Sequence, residues 1–302
     1  MIRRIATLSL AFLVALAPVA PAATKKSSTK KTSSATAKKS SASTSKKRSE
    51  PVEAYRVEDG VPKISAASAI LIDANTGEVL HEVNPDSPRP VASTQKLLTA
   101  LIVAEGGGLD ERVKIQQSDT WAEPSKLYIK AGDVYRRGDL LRILLVKSMN
   151  DVARALARDN AGSVEAFADK MNAKANSLGM RQSNFVNPNG LPASGQYSTA
   201  RDMAKVAAAA YRNRAIREMV RLKEIQWRYP SGKITTFKNT NRVLRNYALC
   251  NGMKTGYTEA SGFCLISSAA SQGREVIAVV LGDSKTAIWT DSYRLLSWGL
   301  SS

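Results

Sequence analysis

Apolar and polar positions alternate in three regimes along the chain. Two short apolar runs, residues 67–73 and 78–83, flank Asn75-Thr76-Gly77, which predicts a β-hairpin. The period then changes. Leu97, Leu98, Leu101, Ile102 and Glu105 run into Gly106-Gly107-Gly108, which predicts one helix from about Ser93 to a glycine stop. The middle third reads as helical: residues 139–147 are Leu-rich, and Val164, Phe167, Ala168, Met171, Ala175 and Leu178 keep helical spacing up to Gly179. Thr199-x-x-Asp202 caps a further amphipathic run through Tyr211. Strand-like stretches return around Lys254, at 262–269 and at 275–281, followed by a helix from about Thr286 to Leu300. Trp289, Tyr293, Leu296 and Trp298 of that helix are expected to pack on the last strands rather than on a membrane. The order strands, helices, strands, helix predicts an α+β fold, with one sheet built from both ends of the domain and a helical lobe inserted between.

Composition confines this fold to part of the chain. Of 302 residues, 43% are hydrophobic, enough for a sizeable core. The net charge is +18, and more than half of it falls in the first fifty residues. Arg3 and Arg4 precede an apolar run from Ile5 to about Ala17, and Ala20-Pro21-Ala22 supplies small residues. This predicts an export signal over residues 1–22, cleaved after Ala22, because some 13 apolar residues are too few to span about 30 Å of hydrocarbon. Residues 23–54 form a Lys/Ser/Thr-rich linker with paired lysines such as Lys25-Lys26 and Lys46-Lys47. Such a segment suits a solvated tether, and its charge also suits anionic envelope polymers. Nucleic acid is not expected, since no aromatic residues interleave the lysines. Residues 55–302 then form the folded domain, and the mature protein is expected in the periplasm or outside the cell.

The single histidine, His81, and the two cysteines, Cys250 and Cys264, exclude a zinc site of four cysteines, of two cysteines with two histidines, or of three histidines. No metal or other cofactor is expected. His81 reads as a surface or strand-end residue. A hairpin turning near 258–261 sets Cys264 opposite a position close to 255 rather than 250, so the cysteines are expected unbridged.

Ser93-Thr94-Gln95-Lys96 puts a hydroxyl and an amine three residues apart at a helix start, where one can reach the other. A lysine serves as a base only when burial beside another cation lowers its pKa. Spacing alone is uninformative, because Ser27/Lys30 and Ser43/Lys46 repeat it in the basic tail. Two further elements change this: Ser148-Met149-Asn150, 55 residues on, and Lys254-Thr255-Gly256, a further 106 on. Together with Pro90-Val91-Ala92, the run Ser183 to Leu191 and Gly252-Met253 leading into Lys254, they make residues 60–285 resemble the D-alanyl-D-alanine carboxypeptidase family of low-molecular-mass penicillin-binding proteins.

That resemblance implies a β-lactamase/transpeptidase-like fold and a serine peptidase acting on peptidoglycan stem peptides, with β-lactams as covalent inhibitors. Ser93 would attack the penultimate D-alanine carbonyl and Lys96 take its proton. Ser148 would relay a proton to the departing D-alanine, and Asn150 would hold Lys96 and the substrate amide. Lys254 and Thr255 would bind the terminal carboxylate, and Gly256 would let the substrate backbone approach. The backbone N–H groups of Ser93 and Tyr257 would form the oxyanion hole. Met149 stands where the family usually has glycine, and is assigned to packing. No Glu-x-x-Leu-Asn element follows Ser148, so a bound β-lactam is expected to persist. The chain ends at Ser302, like the shorter members that cut cross-links as DD-endopeptidases, so that activity with the same residues is the alternative and a C-terminal membrane anchor is not expected. A wall-binding protein with a spent site is a third reading, opposed by the intact motifs.

Overall fold

A computed structural model of the protein describes residues 60–302; the expected export signal and the whole of the basic linker lie outside the described residues. The chain opens with β1 (Ser68–Asp73) and β2 (Val79–Val83), then a 3-10 turn (Ala92–Gln95) that leads directly into α1 (Lys96–Glu105). A hairpin of β3 (Arg112–Lys114) and β4 (Val134–Arg136) precedes α2 (Arg137–Lys147), α3 (Asn150–Ala161), α4 (Val164–Ser177), α5 (Ala200–Arg212) and α6 (Arg214–Val220). A second hairpin, β5 (Glu224–Arg228) and β6 (Ile234–Lys238), and the short α7 (Arg242–Asn246) lead back to β7 (Cys250–Thr258), β8 (Gly262–Ser271) and β9 (Arg274–Asp283). The chain closes with α8 (Ala287–Ser301).

The main sheet has the order β2-β1-β9-β8-β7 and is antiparallel at every pairing. Both ends of the domain therefore build it. Five of the six residues of β1 are buried, because helices cover both faces of the sheet. Ile70, Ile72, Ile266, Ile277 and Val279 face a core shared with α1, α2, α3 and α5. Leu71, Leu265, Val276, Ala278 and Val280 face α8, whose Ile288, Leu295 and Leu296 are buried against them. This is why strands in an antiparallel sheet read as unbroken apolar runs. Trp289 and Trp298 also pack against that core, so the aromatic residues of α8 serve the sheet.

Two sequence expectations need correction. The middle third is not helical throughout, since the β3–β4 hairpin lies within it and β5–β6 follows it. Each strand of the first hairpin has only three residues and alternates exposed and buried positions, so charged side chains dominate its pattern. His81 lies inside β2 rather than at a strand end, with its ring edge-on to Trp298 at 6.0 Å. Cys264 pairs with Gly256, close to position 255 as the hairpin spacing indicates, and Cys250 with Ala269. Both cysteines are free, and burial raises each thiol to about 11. Among the described residues no helix is long and apolar enough to cross a membrane.

Candidate active site

Ser93 occupies the 3-10 turn rather than the α-helix, and Lys96 is the first residue of α1. In a 3-10 turn residues i and i+3 eclipse one another, which carries Lys96 Nζ to 2.7 Å from Ser93 Oγ. The amine has two other oxygen neighbours: Asn150 Oδ1 at 2.7 Å and the Asn189 carbonyl at 2.8 Å. A protonated amine donates to all three. A neutral one donates to Asn150 and Asn189 and offers its lone pair to the Ser93 hydroxyl.

Electrostatics favours the neutral form. Lys96 is fully buried, and burial followed by repulsion from Lys254 pushes its pKa well below the usual lysine range, against an opposing pull from the Asp151 carboxylate. Burial alone lowers Lys254 to about 7. A charge on Lys254 thus favours a neutral Lys96, the form a base requires, while an ammonium at Lys254 suits a carboxylate anchor.

Asn150 is the first residue of α3, and Ser148 ends α2 in the left-handed region at φ 69°. That turn reverses the chain between the two helices. Asn150 is held in turn by a loop: its side chain donates to Pro124 O at 3.0 Å and its backbone N–H to Ser125 O at 2.8 Å. The neighbouring Asp151 carboxylate receives the N–H groups of Leu127 (3.0 Å) and Tyr128 (2.8 Å). Ser148 lines the same cleft, yet its hydroxyl has no hydrogen bond to either lysine among the described residues. Met149 is buried in the core, in keeping with a packing role.

β7 supplies the opposite wall and is an edge strand of the sheet. Lys254 Nζ donates to the Thr255 carbonyl at 2.8 Å, and the Thr255 hydroxyl meets that of Thr240 at 2.6 Å. A Cβ at Gly256 would lie 2.8 Å from the Ser93 backbone nitrogen, so only glycine lets the strand approach the serine turn this closely. Tyr257 is half exposed, stacked on Phe263 at 4.3 Å. The cleft between these walls encloses about 310 Å³. His81, on the far edge strand β2, takes no part.

Sequence reasoning missed the roof of this site. Successive carbonyls of Asn187, Pro188 and Asn189 receive the side chains of Gln95, Thr99 and Lys96 from one face of the α1 region. Asn187 Oδ1 accepts the Gly190 N–H at 2.8 Å and Asn189 Oδ1 the Leu191 N–H at 3.0 Å, which bend the segment. Gly190 has φ +83°, and a Cβ there would collide with the Ala92 carbonyl. The run from Ser183 to Leu191 was conspicuous in the sequence, but a carbonyl carries no residue-type signal. Thr240 and Asp151 were likewise unmarked.

The burial of Lys254 predicts a stability effect with a defined sign. Between pH 7 and 10.5 the unfolded chain holds a proton on this residue that the folded protein lacks, so stability rises with pH across that window and bears the full cost below it. Lys254→Met is expected to raise Tm by roughly 5–10 °C at pH 6, with the gain vanishing near pH 10.5. Thermal melts across pH check this; a gain independent of pH would contradict the titration.

Comparison with known proteins agrees with this geometry. Residues 55–285 match the family described as D-alanyl-D-alanine carboxypeptidase. A D-alanyl-D-alanine endopeptidase of Escherichia coli is 35% identical over 243 residues, 78% of either chain. D-alanyl-D-alanine carboxypeptidase DacF of Bacillus subtilis is 34% identical over 72% of this chain, which spans only 58% of that relative. The solved D-alanyl-D-alanine carboxypeptidase of Mycobacterium tuberculosis superposes with a TM-score of 0.77 at 30% identity, covering 80% of this chain and 94% of that one.

Proposed function

This chain belongs to the D-alanyl-D-alanine carboxypeptidase family, and from that we propose that it removes the terminal D-alanine of peptidoglycan stem peptides through an acyl-enzyme on Ser93. The observation that carries the reading is the 2.7 Å contact between the Ser93 hydroxyl and a buried amine whose pKa is strongly lowered. The neutral Lys96 amine takes the Ser93 proton as Oγ bonds to the D-alanine carbonyl carbon. Negative charge developing on the carbonyl oxygen is met by the backbone N–H groups of Ser93 and Tyr257. The C–N bond then breaks, and the departing amine takes up a proton by way of Ser148. Charged Lys254 and the Thr255 hydroxyl hold the terminal carboxylate, and Asn150 steadies both Lys96 and the substrate amide. Water finally cleaves the ester and restores the hydroxyl.

β-Lactams enter the same chemistry and stay bound as stable acyl adducts. The substrate lies outside the cytoplasm, which agrees with residues 1–22 as a cleaved export signal and residues 23–54 as a basic tether to anionic envelope polymers. Purified protein given a monomeric pentapeptide stem is expected to release one D-alanine per peptide. Intact pentapeptide after prolonged incubation would refute the proposal. Cleavage of cross-links uses the same residues and differs only in what the leaving side accommodates.

A further inference from the structure

Beyond the carboxylate end of the cleft lies a second pocket of about 230 Å³, lined by Arg242, Val243, Asn246, Tyr247, Trp289 and Tyr293 among others. Trp289 lines both spaces and forms the wall between them. The route from one to the other is short: Thr255 meets Thr240 at 2.6 Å, and α7 begins with Arg242 two residues later. Asn241 fastens that corner to β7, donating from its side chain to Gly252 O at 2.9 Å while its Oδ1 accepts the Leu244 N–H.

The lining has a definite chemistry. The Arg242 guanidinium lies over the Trp289 ring at 5.1 Å and has no carboxylate partner among the described residues. The indole is itself anchored, its N–H donating to Lys285 O at 2.9 Å, and Tyr247 meets Tyr293 at 4.8 Å. No acidic residue lines the pocket. An arginine placed over an aromatic face still has donors available to a carboxylate.

We propose that this pocket is a leaving-side subsite, in which Arg242 binds a carboxylate on the second stem peptide of a D-alanyl cross-link. The inference rests on the assignment of Ser93 and of the Lys254/Thr255 carboxylate anchor. With the carboxylate of the leaving residue held there, whatever else that residue carries must exit past Thr240. A free D-alanine carries only a methyl group. In a direct cross-link the methyl is replaced by a chain leading to the second peptide, and the aromatic walls and Arg242 lie where that chain emerges. The bond changes are those of the hydrolysis above: the D-alanyl C–N bond breaks, the second peptide leaves as its amine, and water releases the acyl group.

The test compares kcat/KM on a peptide dimer joined by a D-alanyl cross-link with kcat/KM on the monomeric pentapeptide. Arg242→Ala is expected to lower the dimer-to-monomer ratio about tenfold, the scale of one charge-assisted hydrogen bond, with Arg242→Lys partly restoring it. Amidating the carboxylates of the leaving peptide other than the one held by Lys254 and Thr255 is expected to lower the wild-type ratio by a similar factor and to leave the ratio of Arg242→Ala unmoved. An unchanged ratio, or an equal loss on carboxylate and amide dimers, overturns the subsite. So does turnover of monomer without any turnover of dimer, which would leave the carboxypeptidase reading standing. Absence of both monomer turnover and a penicillin adduct would instead remove the Ser93 assignment on which the subsite rests.

Discussion

Ser93→Ala is expected to eliminate turnover of stem peptides, with a fall in kcat on the order of a millionfold, because the acyl-enzyme can no longer form. Wild-type protein incubated with a penicillin should gain the mass of the drug on the peptide containing Ser93, and Ser93→Ala should gain none. The substitution deletes one oxygen from a half-buried turn. Among the described residues its Oγ has only the Lys96 amine at 2.7 Å and the Asn189 carbonyl at 3.2 Å as hydrogen-bond partners, so the fold should survive and a melting curve should confirm it. Adduct formation in the alanine variant, or its absence in wild type, would place the nucleophile elsewhere. The adduct should also be long-lived. No side-chain carboxylate approaches the Ser93 hydroxyl, whose neighbours are an amine and a carbonyl.

Lys96→Met is the second large effect. Loss of a positioned general base typically costs 10²–10⁴-fold, and acylation by penicillin should slow by about that much. The pH dependence separates a base from a mere packing residue. In wild type, acylation should accelerate as pH rises through the lowered Lys96 pKa, since only the neutral amine accepts the Ser93 proton. For substrates that need the charged Lys254, kcat/KM should then decline above about pH 7, giving a bell. The rising limb should vanish in Lys96→Met and the falling limb in Lys254→Arg, whose guanidinium stays charged. Retention of the rising limb in Lys96→Met would assign the proton transfer to another group.

Particular elements show how far residue patterns reach. The first hairpin, α1, α4, α5, the last two strands and α8 were legible because each carries an apolar period long enough to stand above its charged neighbours. Thr199 caps α5 as its spacing indicates, receiving the Asp202 N–H at 3.1 Å. The reciprocal half of that cap is absent, because the Asp202 carboxylate instead receives Gln182 N and Ser183 Oγ at 2.8 Å each, which ties down the start of the segment that roofs the site. The β3–β4 hairpin was not legible, as Val113 is a single buried residue between Arg112 and Lys114, and Tyr135 one between exposed Val134 and Arg136. Ser148 lines the cleft with Ser93, Asn150 and Thr255, but whether its hydroxyl meets either lysine depends on side-chain geometry that residue order does not carry.

By itself the sequence determined which chemical groups the protein possesses: a serine and a lysine three residues apart, an inventory too poor in histidine and cysteine for the common zinc sites, and two further motifs in a fixed order. It also determined the α+β class, through the order of its periodicities. Spacing alone could not distinguish Ser93/Lys96 from the equally spaced pairs in the basic tail, since it sets reach and not environment. Tertiary structure alone decided that Lys96 is dry, faces the Lys254 charge and rests under the Asn189 carbonyl, because residues more than ninety positions apart must converge before an amine loses its water.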